Sequence, residues 1–182
     1  MSQQELGSRI RHPLAARLVL SGMLLILLPS LALADAWYNS AWTYRQQITI
    51  PAASYGSVAV SNFPLLISIS AANSVFTNAK SNGYDILFTA SDGVTKLAHE
   101  IEAYDPVGDK LSAWVNIPSL PSSGSTTIYM YYGNAAAANQ QNKNAVWDSN
   151  YKMVLHLSEP ATAGQSSAVF YDSTANGANG TQ

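Results

Sequence analysis

The segment Leu111-Ser-Ala-Trp-Val-Asn-Ile117 decides the fold class, because apolar residues recur in it at every second position. Successive side chains of a strand point to opposite faces of a sheet, so this period predicts a strand with one buried face. Proline ends the run at positions 118 and 121, since it has no amide hydrogen for a neighbouring strand. The residues that would face the core are Leu111, Ala113, Val115 and Ile117.

Six further segments show strand-like patterns, which brings the expected number of strands to about seven. They are residues 44–50, 63–69, 86–89, 97–104, 126–132 and 151–157. Asp92-Gly93 separates two of them and is typical of a hairpin turn. We predict an all-β protein, an antiparallel β-sandwich of jelly-roll-like type with little helix. Residues 74–80 are expected to form one or two helical turns capped by Ser74, and residues 135–141 a polar connector.

The charge balance and the absence of cysteine exclude several classes of protein. The chain has 182 residues, 9 basic and 11 acidic side chains and no cysteine. Three of the basic residues and one acidic residue lie before residue 35, which leaves 6 basic and 10 acidic side chains after it. A protein with this acidic excess lacks the basic patch of a nucleic-acid binder. Disulfides, thiolate metal sites and a cysteine nucleophile are excluded as well.

The first 34 residues have the three parts of a secretory signal peptide. Arg9, Arg11 and Arg17 precede an apolar run over residues 18–28, and Ala32-Leu-Ala34 forms a cleavage site before Asp35. The run is shorter than the roughly 20 apolar residues of a membrane-spanning helix, and no other stretch is long enough. We therefore expect an exported protein, periplasmic, cell-surface or secreted, with no membrane span in the mature chain. Retention of the leader as an anchor is the alternative.

A set of motifs in fixed order resembles the bacterial domain of unknown function 2341. The set comprises Trp42-x-Tyr-Arg45, Asn82-Gly-Tyr-Asp-Ile86, Glu100-Ile-Glu102, Ala113-Trp-Val115 and Tyr131-Tyr-Gly-Asn134, and it lies within residues 37–134. The resemblance implies an exported, β-rich module without an established reaction. Members also occur in front of the membrane helices of TolQ/ExbB-like proton-channel proteins, which provides an alternative role as the exported part of a membrane transport protein.

The tail is similar to the opening of a laminin-G/concanavalin-like lectin domain. The resemblance rests on Val154-Leu-His-Leu-Ser-Glu159 and on Phe170-Tyr-Asp-Ser-Thr174. It implies a division into a signal peptide (1–34), the domain of unknown function 2341 (35–148) and an incomplete lectin-like domain (149–182). Residues 158–182 are rich in small and polar residues and show no closing strand, so the edge of the strand predicted at 151–157 would be unprotected. We therefore expect a further domain of the same protein to follow Gln182.

Glu100, Glu102 and Asp105 are the weak candidates for catalysis. On a strand, Glu100 and Glu102 share a face about 6.6 Å apart along the backbone. Carboxylates about 5 to 9.5 Å apart can hydrolyse glycosides, one as acid and the other as nucleophile or base. The run resembles the Glu-x-Asp-x-x-Glu strand of concanavalin-like glucanases, with Glu102 and Asp105 departing from it. The alternative, which we favour, is a solvated strand face without catalysis.

Trp114, Tyr129 and Tyr131 are the candidates for ligand binding. They belong to an aromatic set that includes Trp37, Trp42, Trp147 and Tyr132. Exposed aromatic faces can stack on sugar rings, so an outer strip of these residues would contact glycans. Packing under the next domain is the alternative, which we slightly favour, because a large exposed apolar strip requires a partner.

No metal site or cofactor is predicted. We expect His99 to be buried and hydrogen-bonded, and His156 with Glu159 provides too few ligands for a metal. Loop aspartates leave a structural calcium ion open, although none has the spacing of an EF-hand. The aspartates in or near loops are Asp85, Asp92, Asp105, Asp109, Asp148 and Asp172.

The sequence therefore supports a first hypothesis and two alternatives. The first is an exported, non-catalytic module with a binding, adhesion or spacer role, whose partner is a glycan or another cell-envelope component. The second is the exported front of a TolQ/ExbB-like membrane transport protein. The third is a glycoside hydrolase that uses Glu100 and Glu102. The acidic charge leaves no role for nucleic acid in any of them.

Overall fold

The strands of the protein form two antiparallel sheets and one small hairpin. The computed structural model describes residues 36–56, 58–159 and 169–181. Along these ranges the strands are β1 (Tyr44–Pro51), β2 (Val60–Ser70), β3 (Leu87–Thr89), β4 (Lys96–Leu97), β5 (His99–Asp105), β6 (Lys110–Leu120), β7 (Ser125–Tyr132), β8 (Val169–Phe170) and β9 (Gly180–Thr181). The first sheet has the order β1-β7-β3-β4, the second β2-β6-β5, and β8 pairs with β9.

The core lies between the two sheets. Leu111, Ala113 and Val115 of β6 are fully buried, as their alternation predicts. They belong to one cluster with Phe88 of β3 and Met130 of β7, which come from the opposite sheet. Burial of a leucine or valine side chain, such as that of Leu111 or Val115, stabilises a fold by about 1.5–3 kcal/mol. The prediction of an all-β antiparallel sandwich is confirmed.

The segment predicted as one strand over residues 97–104 is two strands in different sheets. β4 pairs with β3 across the predicted Asp92-Gly93 turn, with Thr89 opposite Lys96. After Ala98 the chain crosses to the second sheet, where β5 pairs with β6. The alternation predicts an extended chain in both parts, but it does not indicate which neighbour each part has.

Residues 151–157 do not form the predicted strand. Leu155 makes a single antiparallel bridge to Asp172. The amide of Val154 instead donates to the Asp172 carboxylate at 2.9 Å, and the carbonyl of Val154 accepts from Ser173 N at 2.9 Å. The Asp172 side chain therefore takes one of the hydrogen bonds that a neighbouring strand would make, and no ladder forms in this segment.

The helical content is small, as predicted, but the cap is different. The helix α1 (Ser74–Asn78) begins after Asn73, whose side chain accepts from Val75 N at 3.0 Å. Asn73 is therefore the N-cap in place of Ser74, since an amide oxygen can satisfy a first-turn N–H equally well. Short 3-10 turns occupy Ala52–Ser54 and Lys143–Ala145. Residues 135–141 are a connector without helix.

Asp85 joins the loop before β3 to the turn after β7. Its buried carboxylate accepts Lys80 N at 2.8 Å, Gly133 N at 2.8 Å and Asn134 N at 3.1 Å. Its own carbonyl accepts the indole N–H of Trp42 at 2.7 Å. Hydrogen bonds to a charged acceptor are the stronger kind, so this one residue fixes two loops and the chain before β1.

His99 is buried against the core and lacks the predicted hydrogen bond. Its ring packs edge-on against Phe88, with ring centroids 5.3 Å apart. Neither ring nitrogen has a hydrogen-bond partner among the described residues, although the carbonyls of Leu97 and Ile86 lie nearby. Burial lowers the pKa of His99 from 6.5 to about 4, because it disfavours the charged imidazolium.

The folded protein is expected to lose stability on mild acidification through His99. The pKa of His99 is 6.5 unfolded and about 4 folded, so only the unfolded chain takes up the proton between these values. The free energy of unfolding therefore has its full value, as far as His99 is concerned, above pH 6.5. It falls by about 3 kcal/mol as the pH drops towards 4. Urea unfolding between pH 4 and 8 measures it. A His99→Leu variant should have a flatter profile, and an unchanged pH dependence in that variant would contradict the assignment.

The leader predicted from residues 1–34 lies outside the described residues. Among those that are described, no helix has the length and hydropathy needed to cross a bilayer.

Candidate functional site

Two glutamates, a histidine and two tryptophans meet on the outer face of the second sheet. We call these residues, Glu100, Glu102, Trp114, Trp147 and His156, the outer cluster. β5 and β6 pair with Glu100 opposite Trp114, and a bulge falls between Ile101 and Ala103. The bulge does not separate the carboxylates, which contact the same imidazole from two sides.

Glu100 is buried and all its contacts are internal. Its Oε2 atom accepts the indole N–H of Trp147 at 3.0 Å and lies 3.2 Å from Nε2 of His156. Its Oε1 atom accepts the hydroxyl of Ser173. A buried carboxylate requires such partners, because an unpaired charge in the interior is costly. Both of its oxygens are therefore already engaged.

Glu102 is more accessible and has fewer partners. The relative exposure of its side chain is 31%, against 9% for Glu100. Its Oε2 atom accepts the indole N–H of Trp114 at 2.6 Å and lies 3.5 Å from Nδ1 of His156. The imidazole of His156 thus bridges the two carboxylates, and each glutamate orients one tryptophan.

The aromatic rings of the outer cluster pack on one another and attach the later part of the chain to the sheet. Trp114 and Trp147 have ring centroids 5.2 Å apart, and Trp147 contacts Tyr151 edge-on at 5.1 Å. The side-chain amide of Asn116 on β6 donates to the carbonyl of Val146 at 3.0 Å. Residues 146–159 and 169–174, which we call the covering segment, therefore lie over the face of the sheet that carries Trp114.

Asp172 organises the end of this covering segment. Its carboxylate accepts from the amides of Val154, Thr174 and Ala178, each at 2.9 Å. Burial of this carboxyl opposes ionisation, but those hydrogen bonds and the Thr174 hydroxyl outweigh it and hold the pKa of Asp172 well below its usual range. The next residue, Ser173, donates its hydroxyl to Glu100. Two neighbouring residues, Asp172 and Ser173, therefore hold this part of the chain in place.

The contacts of the outer cluster favour a structural role, attachment of the later chain to the second sheet, over acid–base chemistry. Glycoside hydrolysis requires one carboxyl that can release a proton to the substrate and a second that faces the sugar. Glu100 has Trp147, Ser173 and His156 against it. Asp105, the third catalytic candidate, accepts the amides of Val107 at 3.0 Å and Gly108 at 2.9 Å in a turn.

The three aromatic candidates for ligand binding do not form one exposed strip. Trp114 is half-buried under Trp147 and His156. Tyr129 and Tyr131 lie on β7 in the first sheet and are only 5% and 0% exposed. The single strip, the less favoured of the two alternatives, does not form, because β6 and β7 belong to different sheets.

Arg45 is the partner of Tyr129 and Tyr131 on the first sheet. Its guanidinium lies 4.3 Å from the ring centroid of Tyr129 and 5.1 Å from that of Trp37. The hydroxyl of Tyr131 donates to the carbonyl of Gly93 at 2.9 Å. Guanidinium groups are attracted to the faces of aromatic rings, so Arg45 and Trp37 cover Tyr129 and Tyr131 on the outer face of the first sheet.

His156 and Glu159, which are too few to hold a metal by themselves, have different partners in the structure. His156 faces Glu100 and Glu102, while Glu159 accepts the amide of Tyr171 at 2.9 Å. Within the described ranges, no group of three metal-ligating side chains is placed to hold an ion. Of the loop aspartates, Asp92 and Asp148 accept amides of their own turns. These contacts do not test the structural calcium ion that the sequence leaves open.

Sequence reasoning missed the contacts of Ser173 and Trp147 with Glu100. Trp147 stood out only by its residue type, and Ser173 lies in a segment of small polar residues without any periodic signal. They are 47 and 73 residues away from Glu100 along the chain. No local sequence pattern predicts such a contact, because the contact depends on the path that the covering segment takes over the sheet.

A comparison with protein families supports the motif-based resemblance. The family model described as Domain of unknown function (DUF2341) matches residues 82–179. The match includes β5, β6, β7 and the covering segment, and it continues past residue 148, where the sequence analysis placed a boundary. No curated protein and no solved structure matches the chain significantly.

Proposed function

The chain belongs to the family described as domain of unknown function (DUF2341), and from that premise we propose that it is an exported, non-catalytic module that binds glycans of the cell envelope. The observation that carries the non-catalytic part is the burial of Glu100 among internal partners. Its two oxygens are in contact with Ser173, Trp147 and His156. A general acid has to exchange a proton with its substrate, and a buried carboxyl with internal contacts is poorly placed to do so.

Export is proposed from the leader sequence. The basic, apolar and small-residue regions before Asp35 are those of a secretory signal. The absence of cysteine is compatible with export, because a core of this size can fold without disulfides. The similarity of residues 154–174 to the opening of a laminin-G/concanavalin-like domain also supports glycan contact. The lectin-like domain itself stays a prediction.

The proposal is tested by measuring hydrolysis and binding on the same polysaccharides. Affinity electrophoresis of the purified chain in gels with soluble glucan, mannan or xylan should show retardation by at least one polymer. Release of reducing ends from the same polymers should be absent. The Glu100→Gln, Glu102→Gln double variant is the matched control. Hydrolysis by the original chain that this variant loses would overturn the non-catalytic assignment, and retardation by none of the polymers would overturn glycan binding.

A further inference from the structure

A groove of 520 Å³ lies where the start of β2 meets the segment that follows Trp147. One side of it is formed by Asn62 and Phe63 of β2, and the other by Asp148, Asn150 and Tyr151. Its volume falls in the range of about 300–1,000 Å³ that is usual for small-molecule sites. None of the residues predicted from the sequence to bind ligand lines this groove.

The aromatic side of the groove is held in place by the outer cluster. Tyr151 lies edge-on against Trp147, with an angle of 67° between the rings. Trp147 in turn donates its indole N–H to Glu100. A ring that is fixed before binding loses little freedom on contact with a ligand, which favours affinity. The buried glutamate therefore supports a binding surface that lies beyond it.

The polar groups of the groove include one that is fixed by its own turn and two without a partner in the protein. Asp148 accepts the backbone amide of Asn150 at 2.8 Å and its side-chain nitrogen at 3.2 Å, which fixes the carboxylate. Among the described residues, the side-chain amide of Asn62, which is exposed, and the hydroxyl of Tyr151 have no hydrogen-bond partner. A ligand that offers several hydroxyls would replace the water around these groups.

The backbone of Asn62 is a second sign that this place is specialised. Its φ is +50°, in the left-handed region, and in the register of β2 and β6 it lies opposite Pro118, between the pairs Ser61–Ser119 and Phe63–Ile117. Residues other than glycine adopt this conformation in only a few per cent of cases, asparagine more readily than most, and such residues cluster at functional sites. Pro64, which has no N–H, interrupts the regular amide spacing that an added peptide strand would require.

We propose that this groove binds a neutral oligosaccharide, an inference that rests on the proposed glycan-binding function and locates its site. The aromatic ring of Tyr151 would stack on the apolar face of a sugar ring, while Asn62 and Asp148 would hydrogen-bond its hydroxyls. The lining has one carboxylate and no basic side chain, which disfavours phosphates and acidic peptides.

The test is a titration of the full, ¹⁵N-labelled chain with cellohexaose, mannohexaose and chitohexaose, followed by NMR. We expect at least one of the three sugars to shift the side-chain amide signals of Asn62 and Asn150 and the indole signal of Trp147. Tyr151→Ala should weaken its binding roughly tenfold. Asn62→Gly removes the amide, keeps the left-handed backbone accessible and should weaken it about fivefold.

Tyr84→Ala is the matched control, because Tyr84 is 40% exposed and lies outside the groove. It should leave the affinity unchanged. Binding that Tyr151→Ala and Asn62→Gly both leave intact, with shifts elsewhere, would overturn this groove and leave the proposed function standing. Binding of none of the three sugars would overturn the groove, while retardation by a polysaccharide in the gel assay would still support the function. Because Asn62→Gly is compatible with the backbone, a failure of Tyr151→Ala to fold does not prevent the test.

Discussion

Replacing Asp85 with alanine should lower the free energy of unfolding by about 3 to 5 kcal/mol, the largest effect expected of a single polar substitution in this chain. The substitution leaves the amides of Lys80, Gly133 and Asn134 without an acceptor in a partly buried place. Each such donor costs about 1–3 kcal/mol when it is not satisfied. Equilibrium unfolding in urea, followed by tryptophan fluorescence, measures the loss.

Asp92→Ala is the control for this prediction. Asp92 also accepts two backbone amides, those of Val94 and Thr95, both at 2.9 Å, but it lies in an exposed turn. Water can replace the carboxylate there, so the expected loss is under about 1 kcal/mol. Similar losses for the two variants would mean that the burial of Asp85 does not matter, and the interpretation of this residue as an anchor would be wrong.

Replacing Glu100 with alanine should cost about 3 kcal/mol and release the segment that covers the second sheet. Trp147 and Ser173 lose their acceptor, and His156 keeps only Glu102. Because Trp114 and Trp147 pack on each other, the change should be visible in the near-ultraviolet circular dichroism. Limited proteolysis should then cut after residue 146 more readily than in the original chain.

Glu102→Ala is the matched comparison, since it removes a carboxylate from the same cluster. Glu102 is more exposed and accepts one indole N–H, from Trp114. Its loss should cost about 1 kcal/mol and leave the segment in place. Equal effects of the two substitutions, or none from Glu100→Ala, would contradict the structural role of Glu100. That outcome would favour the alternative in which Glu100 and Glu102 act as a catalytic pair.

Three of the five motifs that carry the family resemblance, those with Trp42, Asp85 and Gly133-Asn134, meet around Asp85. The carboxylate of Asp85 joins its own loop to Gly133-Asn134, and its carbonyl binds Trp42. Gly133 has a φ of +85°, and a side chain there would meet the ring of Tyr44, which stacks on Tyr132. These residues are separated in the sequence and meet at one end of the first sheet, so their co-occurrence has a structural reason.

The sequence by itself determined the fold class and most of the strands. Leu111, Ala113 and Val115 are buried as their period of two requires, because the direction of a strand side chain is a local property. The hairpin at Asp92-Gly93 could also be predicted from the sequence, since turn conformation depends on neighbouring residues. The common face of Glu100 and Glu102 follows from the same alternation.

Only the tertiary structure decided which faces are covered and by what. It separated Trp114 from Tyr129 and Tyr131, placed Leu97 and His99 in different sheets, and brought Ser173 to Glu100. It also revealed the groove beside Asn62. These outcomes depend on pairings between residues far apart along the chain, and the free energy that selects them comes from burial of whole faces and not from local conformational preference.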